Sequence, residues 1–213
     1  MKTTSYLPIL KAFIFNQIMI LFLIFVPFKM LAQQDWTLKK DKNGIKVYTK
    51  DHENEKIKFY RLNTSFKADM EDVFKFNTDF DNYENWVKNC EKSEVISSSK
   101  NEIIYYSKYK TPWPADDRDF ITKVSVKRHT ENEILLTMEP ANYDYPKEDG
   151  VVRVTNFLDK WKITTSTDNV IQIETEGYYD PGGSIPAWIV NMFMVDGPYH
   201  SMLTLKEKTE REN

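Results

Sequence analysis

Phe120-Ile121-Thr122-Lys123-Val124-Ser125-Val126-Lys127 is the stretch on which the fold turns. Thr122, Val124 and Val126 alternate with Lys123, Ser125 and Lys127, so one side of the segment is apolar and the other wet. That is the period of a strand with one face buried in an antiparallel sheet. The same texture recurs on both sides of it. Residues 95–96, 103–109, 134–138, 151–154, 161–165 and 170–175 are short runs rich in β-branched and aromatic residues, most of them separated by turn residues. Seven runs in succession, with no helical pattern among them, predict an antiparallel meander between about 92 and 177.

Two further strand signals lie upstream, at 45–48 after a turn at Asn43-Gly44 and at 57–66. Ala68-Asp69-Met70-Glu71-Asp72 then carries acids where a helix start favours them, and Val73, Phe74 and Phe76 continue the helix. Phe80, Tyr83 and Trp86 supply aromatic bulk to dock the chain that follows. Downstream of the meander, Trp188, Met192, Val195, Tyr199 and Met202 recur at alternating spacings of four and three. This is one stripe of an amphipathic helix over about 186–208. Pro186 is tolerated at its start, and Gly197-Pro198 predicts a kink in its middle. The order of elements makes an α+β domain in which a curved antiparallel sheet grips one long C-terminal helix, with room for an internal hydrophobic cavity between them.

Composition removes many functions. The chain has 213 residues, with 29 Lys and Arg against 32 Asp and Glu, a net charge of −3. There is no basic excess and no run of five like charges, so no nucleic-acid surface is expected. Its 6 glycines fit neither a P-loop nor a dinucleotide fingerprint. The single Cys, Cys90, makes an intrachain disulfide impossible, and the three histidines (His52, His129, His200) lie far apart. No metal site and no cofactor is expected. Asp116, Asp117 and Asp119 lack the spacing and the Gly of a calcium loop and read as a solvated turn.

Residues 1–32 differ from the rest. They hold Lys2, Lys11 and Lys29, no acid, and an unbroken apolar run over 18–28. This reads as an export signal peptide cut near Ala32 or Gln33, with an uncut N-terminal membrane anchor as the rival. The expected location of the domain is therefore periplasmic or secreted.

Three segments in order carry a family resemblance. Pro112-Trp113-Pro114-Ala115-Asp116-Asp117-Arg118-Asp119-Phe120 resembles the PWP…RDF segment of START lipid-binding domains. Tyr145-Pro146 through Gly150-Val151-Val152-Arg153 resembles the segment that enters their next strand. Asp180-Pro181-Gly182-Gly183-Ser184-Ile185-Pro186-Ala187-Trp188-Ile189-Val190-Asn191 is similar to the opening of their last helix. The resemblance covers about 34–208. It implies the helix-grip fold of the START/Bet v 1-like superfamily, with a hydrophobic tunnel under the C-terminal helix and a loop that acts as lid.

Candidate residues follow from the alternation and the resemblance together. Trp188, Met192, Val195 and Tyr199 on the helix, with Met202 continuing the stripe, are read as cavity lining. On the sheet the candidates are Tyr105, Phe120, Thr122, Val124, Met138, Trp161 and Ile173, with Arg153 entering the same region. Trp113, Arg118, Asp119, Asp180, Gly182, Gly183 and Pro186 are read as structural: Arg118 and Asp119 tie the loop, and Gly182-Gly183 permits positive φ before the helix. Tyr143 and Tyr145 fall in the expected lid.

Sterol-binding START domains of animals tend to carry an Arg six residues after the RDF Arg, paired with an acid one strand earlier. Those places hold Val124 and Tyr105 here, which favours a fatty-acyl or other largely apolar ligand. No catalytic constellation stands out. The ionisable groups nearest the expected pocket are Tyr105, Arg153, Glu174 and His200. The expected function is therefore binding of a lipid or other hydrophobic molecule, as carrier or sensor, with transient membrane contact. A cyclase/aromatase-like enzyme and a partner-binding module are the alternatives.

Overall fold

The computed structural model describes residues 36–51, 58–183 and 185–211. The leader over 1–32, its cut near Ala32 or Gln33, and Ile57 at the head of the second strand lie outside the described residues.

The strands are β1 (Thr37–Lys42), β2 (Ile45–Asp51), β3 (Lys58–Lys67), β4 (Cys90–Ser98), β5 (Glu102–Tyr109), β6 (Asp117–Thr130), β7 (Glu133–Pro140), β8 (Val151–Arg153), β9 (Phe157–Thr165) and β10 (Val170–Tyr179). They form one ten-stranded sheet in the order β1-β2-β3-β10-β9-β7-β6-β5-β4, with β8 off that path beside β6. The curved antiparallel sheet and its C-terminal helix make the α+β helix-grip fold that the resemblance implies.

One run of the expected meander is placed differently. Residues 151–153 pair in parallel with Asp117–Asp119 at the start of β6. The meander passes from β7 directly to β9, with Leu136 opposite Trp161. A side-chain ion pair between Asp119 and Arg153 secures the parallel contact.

Helix α1 (Met70–Asn77) starts where the acids predict. Asp69 caps it, its carboxylate accepting from the N–H groups of Glu71 at 2.8 Å and Asp72 at 3.3 Å. A 3-10 turn (Phe80–Asn85) follows and docks through stacked rings, Phe80 lying 4.1 Å from Tyr105.

The C-terminal helix is α2 (Ala187–Asn191), one π turn (Met192–Asp196) and α3 (Gly197–Thr209). The expected Gly197-Pro198 kink takes the form of that π turn. Pro198 has no N–H to offer Met194, and the chain accommodates this one residue earlier, where the Gly197 N–H reaches back to the Met192 carbonyl. The extra residue rotates α2 by roughly 100° relative to a continuous α-helix. Ile189 turns fully inward and Trp188 outward, 51% exposed.

The inner face of the sheet divides in two. At one end Val124, Ile134, Leu136, Ile163, Ile171 and Ile173 pack with Val73 of α1 and with Val195, Tyr199, Met202 and Leu205 of the C-terminal helix in a single buried cluster. The other end of the same face is where the chain leaves space.

Candidate functional site

A cavity of about 180 Å³ lies between the sheet and the C-terminal helix. Alternation builds its sheet side: Tyr105, Ser107 and Tyr109 of β5, Phe120 and Thr122 of β6, Phe157, Asp159 and Trp161 of β9, and Thr175 and Tyr179 of β10 all point one way. The π turn supplies Met192, Phe193 and Met194, and Met202 of α3 completes that side. Trp86, Val87, Lys88 and Asn89, between the 3-10 turn and β4, form part of the boundary. A hydrogen bond from the Lys88 N–H to Ser201 Oγ, at 3.3 Å, links that segment to α3.

Of the residues singled out in the sequence, Tyr105, Phe120, Thr122, Met138, Trp161, Met192 and Met202 line this cavity. Val124, Ile173, Val195 and Tyr199 do not. They are buried in the core cluster that the sheet forms with its helices. The Tyr199 hydroxyl instead accepts from Asn43 Nδ2 at 3.0 Å, with Lys40 over its ring. Trp188 is turned to the outside by the π turn. In the β5–β6 ladder Val124 faces Ile103, and Tyr105 faces Thr122.

Arg153 also lies away from the cavity. It pairs with Asp119 at 2.7 Å and donates to the carbonyls of Tyr145 and Pro146. The adjacent carboxylate raises the guanidinium pKa further above its ordinary value. Tyr145, expected in a lid, stacks on Tyr106 with ring centres 4.3 Å apart. Tyr106 points to the opposite side of β5 from Tyr105, so this loop covers the outer face of the sheet.

Arg118 and Asp119 are neighbours in a strand and point to opposite faces, so they do not pair with each other. Arg118 lines the cavity, and its guanidinium is taken up by the carbonyls of Asp116, Pro181 and Gly182. It therefore ties the β5–β6 loop to the loop before α2. In that second loop Asp180 accepts from the Gly182 N–H at 3.0 Å, Gly182 and Gly183 hold φ of 68° and 66°, and Pro186 stands just before the first helical residue. Trp113, in the first loop, is 89% exposed. Glu174 and His200 are exposed and point away from the cavity. Burial pushes the Cys90 thiol up to about 12, which keeps it protonated.

The polar group that sequence reasoning passed over is Asp159. The β-branched and aromatic run in the sequence starts at Trp161, whereas β9 begins at Phe157. Counting back by two from Ile163 and Trp161 would have placed Asp159 on the inner face. It is 6% exposed, and Trp161 Nε1 donates to its Oδ2 at 3.0 Å. Its Oδ1 has no hydrogen-bond partner among the described residues, nor have Asn77 Oδ1 and Nδ2 or Trp86 Nε1, which line the same cavity. Burial pushes the Asp159 carboxyl up to about 6, although the nearby Tyr60 and Tyr179 hydroxyls favour its ionised form. The same burial holds the Tyr60, Tyr83, Tyr105 and Tyr179 phenols well above their ordinary range, so all four stay protonated.

Gly177 faces Asp159 across the β9–β10 ladder. A Cβ there would run into the Leu158 carbonyl oxygen and come within 3.0 Å of the Tyr60 ring. Gly177→Ala is expected to cost about 1–3 kcal/mol through overpacking against backbone that cannot yield. A urea melt measures this, and an unchanged midpoint would show that the ladder opens freely here.

Residues 29–209 match the family model described as START domain. An uncharacterized protein of Pseudomonas aeruginosa is 29% identical over 178 residues, 84% of this chain and 88% of that protein. The phosphatidylcholine transfer protein of Bos taurus is 22% identical over 176 residues, 78% of this chain and 80% of that protein. Among solved structures, a fragment (25–204) of the STAR-related lipid transfer protein of Xanthomonas axonopodis is 27% identical with a TM-score of 0.72. That match covers 81% of this chain and 97% of the fragment.

Proposed function

This chain belongs to the START domain family, and we propose that it binds a lipid or another hydrophobic small molecule in the cavity under its C-terminal helix without changing it chemically. The observation that carries this reading is the composition of the cavity boundary. Phe120, Phe157, Trp161, Met138, Met192, Met194 and Met202 present apolar, adaptable surface. Burying a ligand's apolar surface there gains roughly 25 cal/mol per Å². The names of the Bos taurus and Xanthomonas axonopodis relatives, both lipid transfer proteins, support a carrier over an enzyme. The side chains of Glu174 and His200 are too exposed, and that of Arg153 too firmly paired, to act on a molecule held in this cavity.

The segment 86–89 and α3 form the boundary through which we expect a ligand to pass, since the Lys88–Ser201 hydrogen bond that links them is long and partly exposed. We further propose export, on the charge and apolar pattern of residues 1–32, with the domain working in the periplasm or outside the cell and touching membranes transiently to load and unload. N-terminal sequencing of the purified protein tests the cut near Ala32 or Gln33.

The binding test is native mass spectrometry of the full chain expressed with its leader and purified without detergent, followed by organic extraction. Stoichiometric co-purified lipid is expected. An empty protein that also takes up no fluorescent lipid analogue, whether alcohol, amine or fatty acid, would overturn the reading. Met192→Asp places a charge at the cavity without touching the packed core, and should reduce the loaded fraction at least about tenfold, because an unpaired charge is costly against an apolar ligand. Retained loading in a variant with a native melting curve would rule out a ligand held against this helix.

A further inference from the structure

We propose that the polar end of the bound molecule is a hydrogen-bond donor, a hydroxyl or an ammonium, and that Asp159 is the group that receives it. This rests on the lipid-binding reading above and adds the chemical class of headgroup.

Asp159 sits on β9 between Met138 of β7 and Gly177 of β10, in the inward phase of the strand. It is 6% exposed and lines the cavity. One carboxylate oxygen is held by Trp161, which fixes the side chain, and Oδ1 has no partner among the described residues. The Tyr60 and Tyr179 hydroxyls turn toward this carboxyl and favour its ionised form, yet neither completes a hydrogen bond to Oδ1. Of the cations on the same boundary, Arg118 is occupied by the carbonyls of Asp116, Pro181 and Gly182, and neither it nor Lys88 forms an ion pair with Asp159 among the described residues. A buried carboxylate thus meets the cavity with an acceptor open and no cation paired to it.

The sign of that group decides what can approach it. An ionised carboxyl only accepts. The other open groups impose less: the Asn77 amide donates and accepts, and Trp86 Nε1 donates but is uncharged. A fatty-acid carboxylate or a phosphate brought to Oδ1 is repelled. An ether or ester oxygen has no proton to offer. A hydroxyl or ammonium completes the site with a charge-assisted hydrogen bond, the stronger kind in a dry pocket.

Four probes of one chain length separate these cases: decan-1-ol, decylammonium, decyl methyl ether and decanoate. Each is titrated into the full chain at pH 8 by calorimetry. The alcohol and the ammonium should bind at least about tenfold more tightly than the ether, with decanoate weakest. In Asp159→Leu the alcohol and the ether should become equal while the ether still binds. Asp159→Asn, which keeps the shape of the side chain and gains a donor, should narrow the gap for the ether and decanoate, and it serves where the Leu variant does not fold. An ether that equals the alcohol in the native chain overturns the proposal alone, as does a preference that survives in Asp159→Leu. Failure of all four probes to bind removes the lipid-binding reading, and the proposal with it.

Discussion

Asp119→Ala will destabilise the domain by about 3 kcal/mol, toward the lower end of what breaking a buried ion pair costs. The Asp119 side chain is 2% exposed and that of Arg153 is 13% exposed, with N···O at 2.7 Å. Removing the acid leaves a mostly buried guanidinium with the carbonyls of Tyr145 and Pro146 and the face of the Tyr145 ring as its remaining partners. The cost falls toward the lower figure because Arg153 retains those two acceptors and some access to water. The same change should loosen β8 and the loop stacked on Tyr106, since the Arg153 side chain links Asp119 of β6 to the Tyr145 and Pro146 carbonyls of that loop. Urea melts give the free energy, and hydrogen exchange over 141–153 gives the local effect. Asp119→Leu with Arg153→Met should recover most of the loss, because an apolar pair carries no desolvation debt. A loss under 1 kcal/mol would mean that the pair behaves as an exposed one.

The second large effect concerns pH. Asp159→Asn is expected to make the ligand-free domain more stable than the native chain at pH 7.5, by as much as about 3 kcal/mol, and no more stable near pH 4. The carboxyl has a folded-state pKa of about 6 against an ordinary value of 3.8. The folded state therefore holds this proton more tightly than the unfolded state does. Its contribution to stability is fully present below about pH 4 and is lost as pH rises through about 6. About two pKa units correspond to about 3 kcal/mol. Asn cannot ionise and keeps an acceptor for Trp161 Nε1. The quantity to measure is the difference between the two urea midpoints from pH 4 to 7.5, in which the titration of the other carboxylates cancels. A difference that does not change with pH would mean that Asp159 titrates like an exposed acid. The expected result makes Asp159 costly to the empty domain, as a group kept for a ligand would be.

Much of this molecule is legible along the chain. The alternation in 120–127 gives the faces of β6, and the acids at 69–72 mark the start of α1. The three motif segments identify the family before any coordinates are known. The candidate site is legible only in part. Alternation identifies the inner face of each strand, but it does not distinguish Thr122, at the cavity, from Val124, two residues on and packed in the core. Asp159 escaped because one polar residue ahead of a strand signal looks like the end of a turn.

By itself, then, the sequence determined the strands from β2 onward, the long helix, their order and the family, because the periods of two and 3.6 and the turn and cap residues act within a few neighbours; β1 (Thr37–Lys42), with its mostly exposed polar face, carried no such signal. Tertiary structure decided where the space lies. The π turn rotated α2 and moved Trp188 out of the stripe. Parallel pairing with β6 drew 151–153 out of the meander and carried Arg153 and Tyr145 to the outer face. Burial among tyrosines and a tryptophan turned an ordinary aspartate into the acceptor facing the cavity. Each of these depends on which distant segment covers a residue, and local pattern carries no information about that.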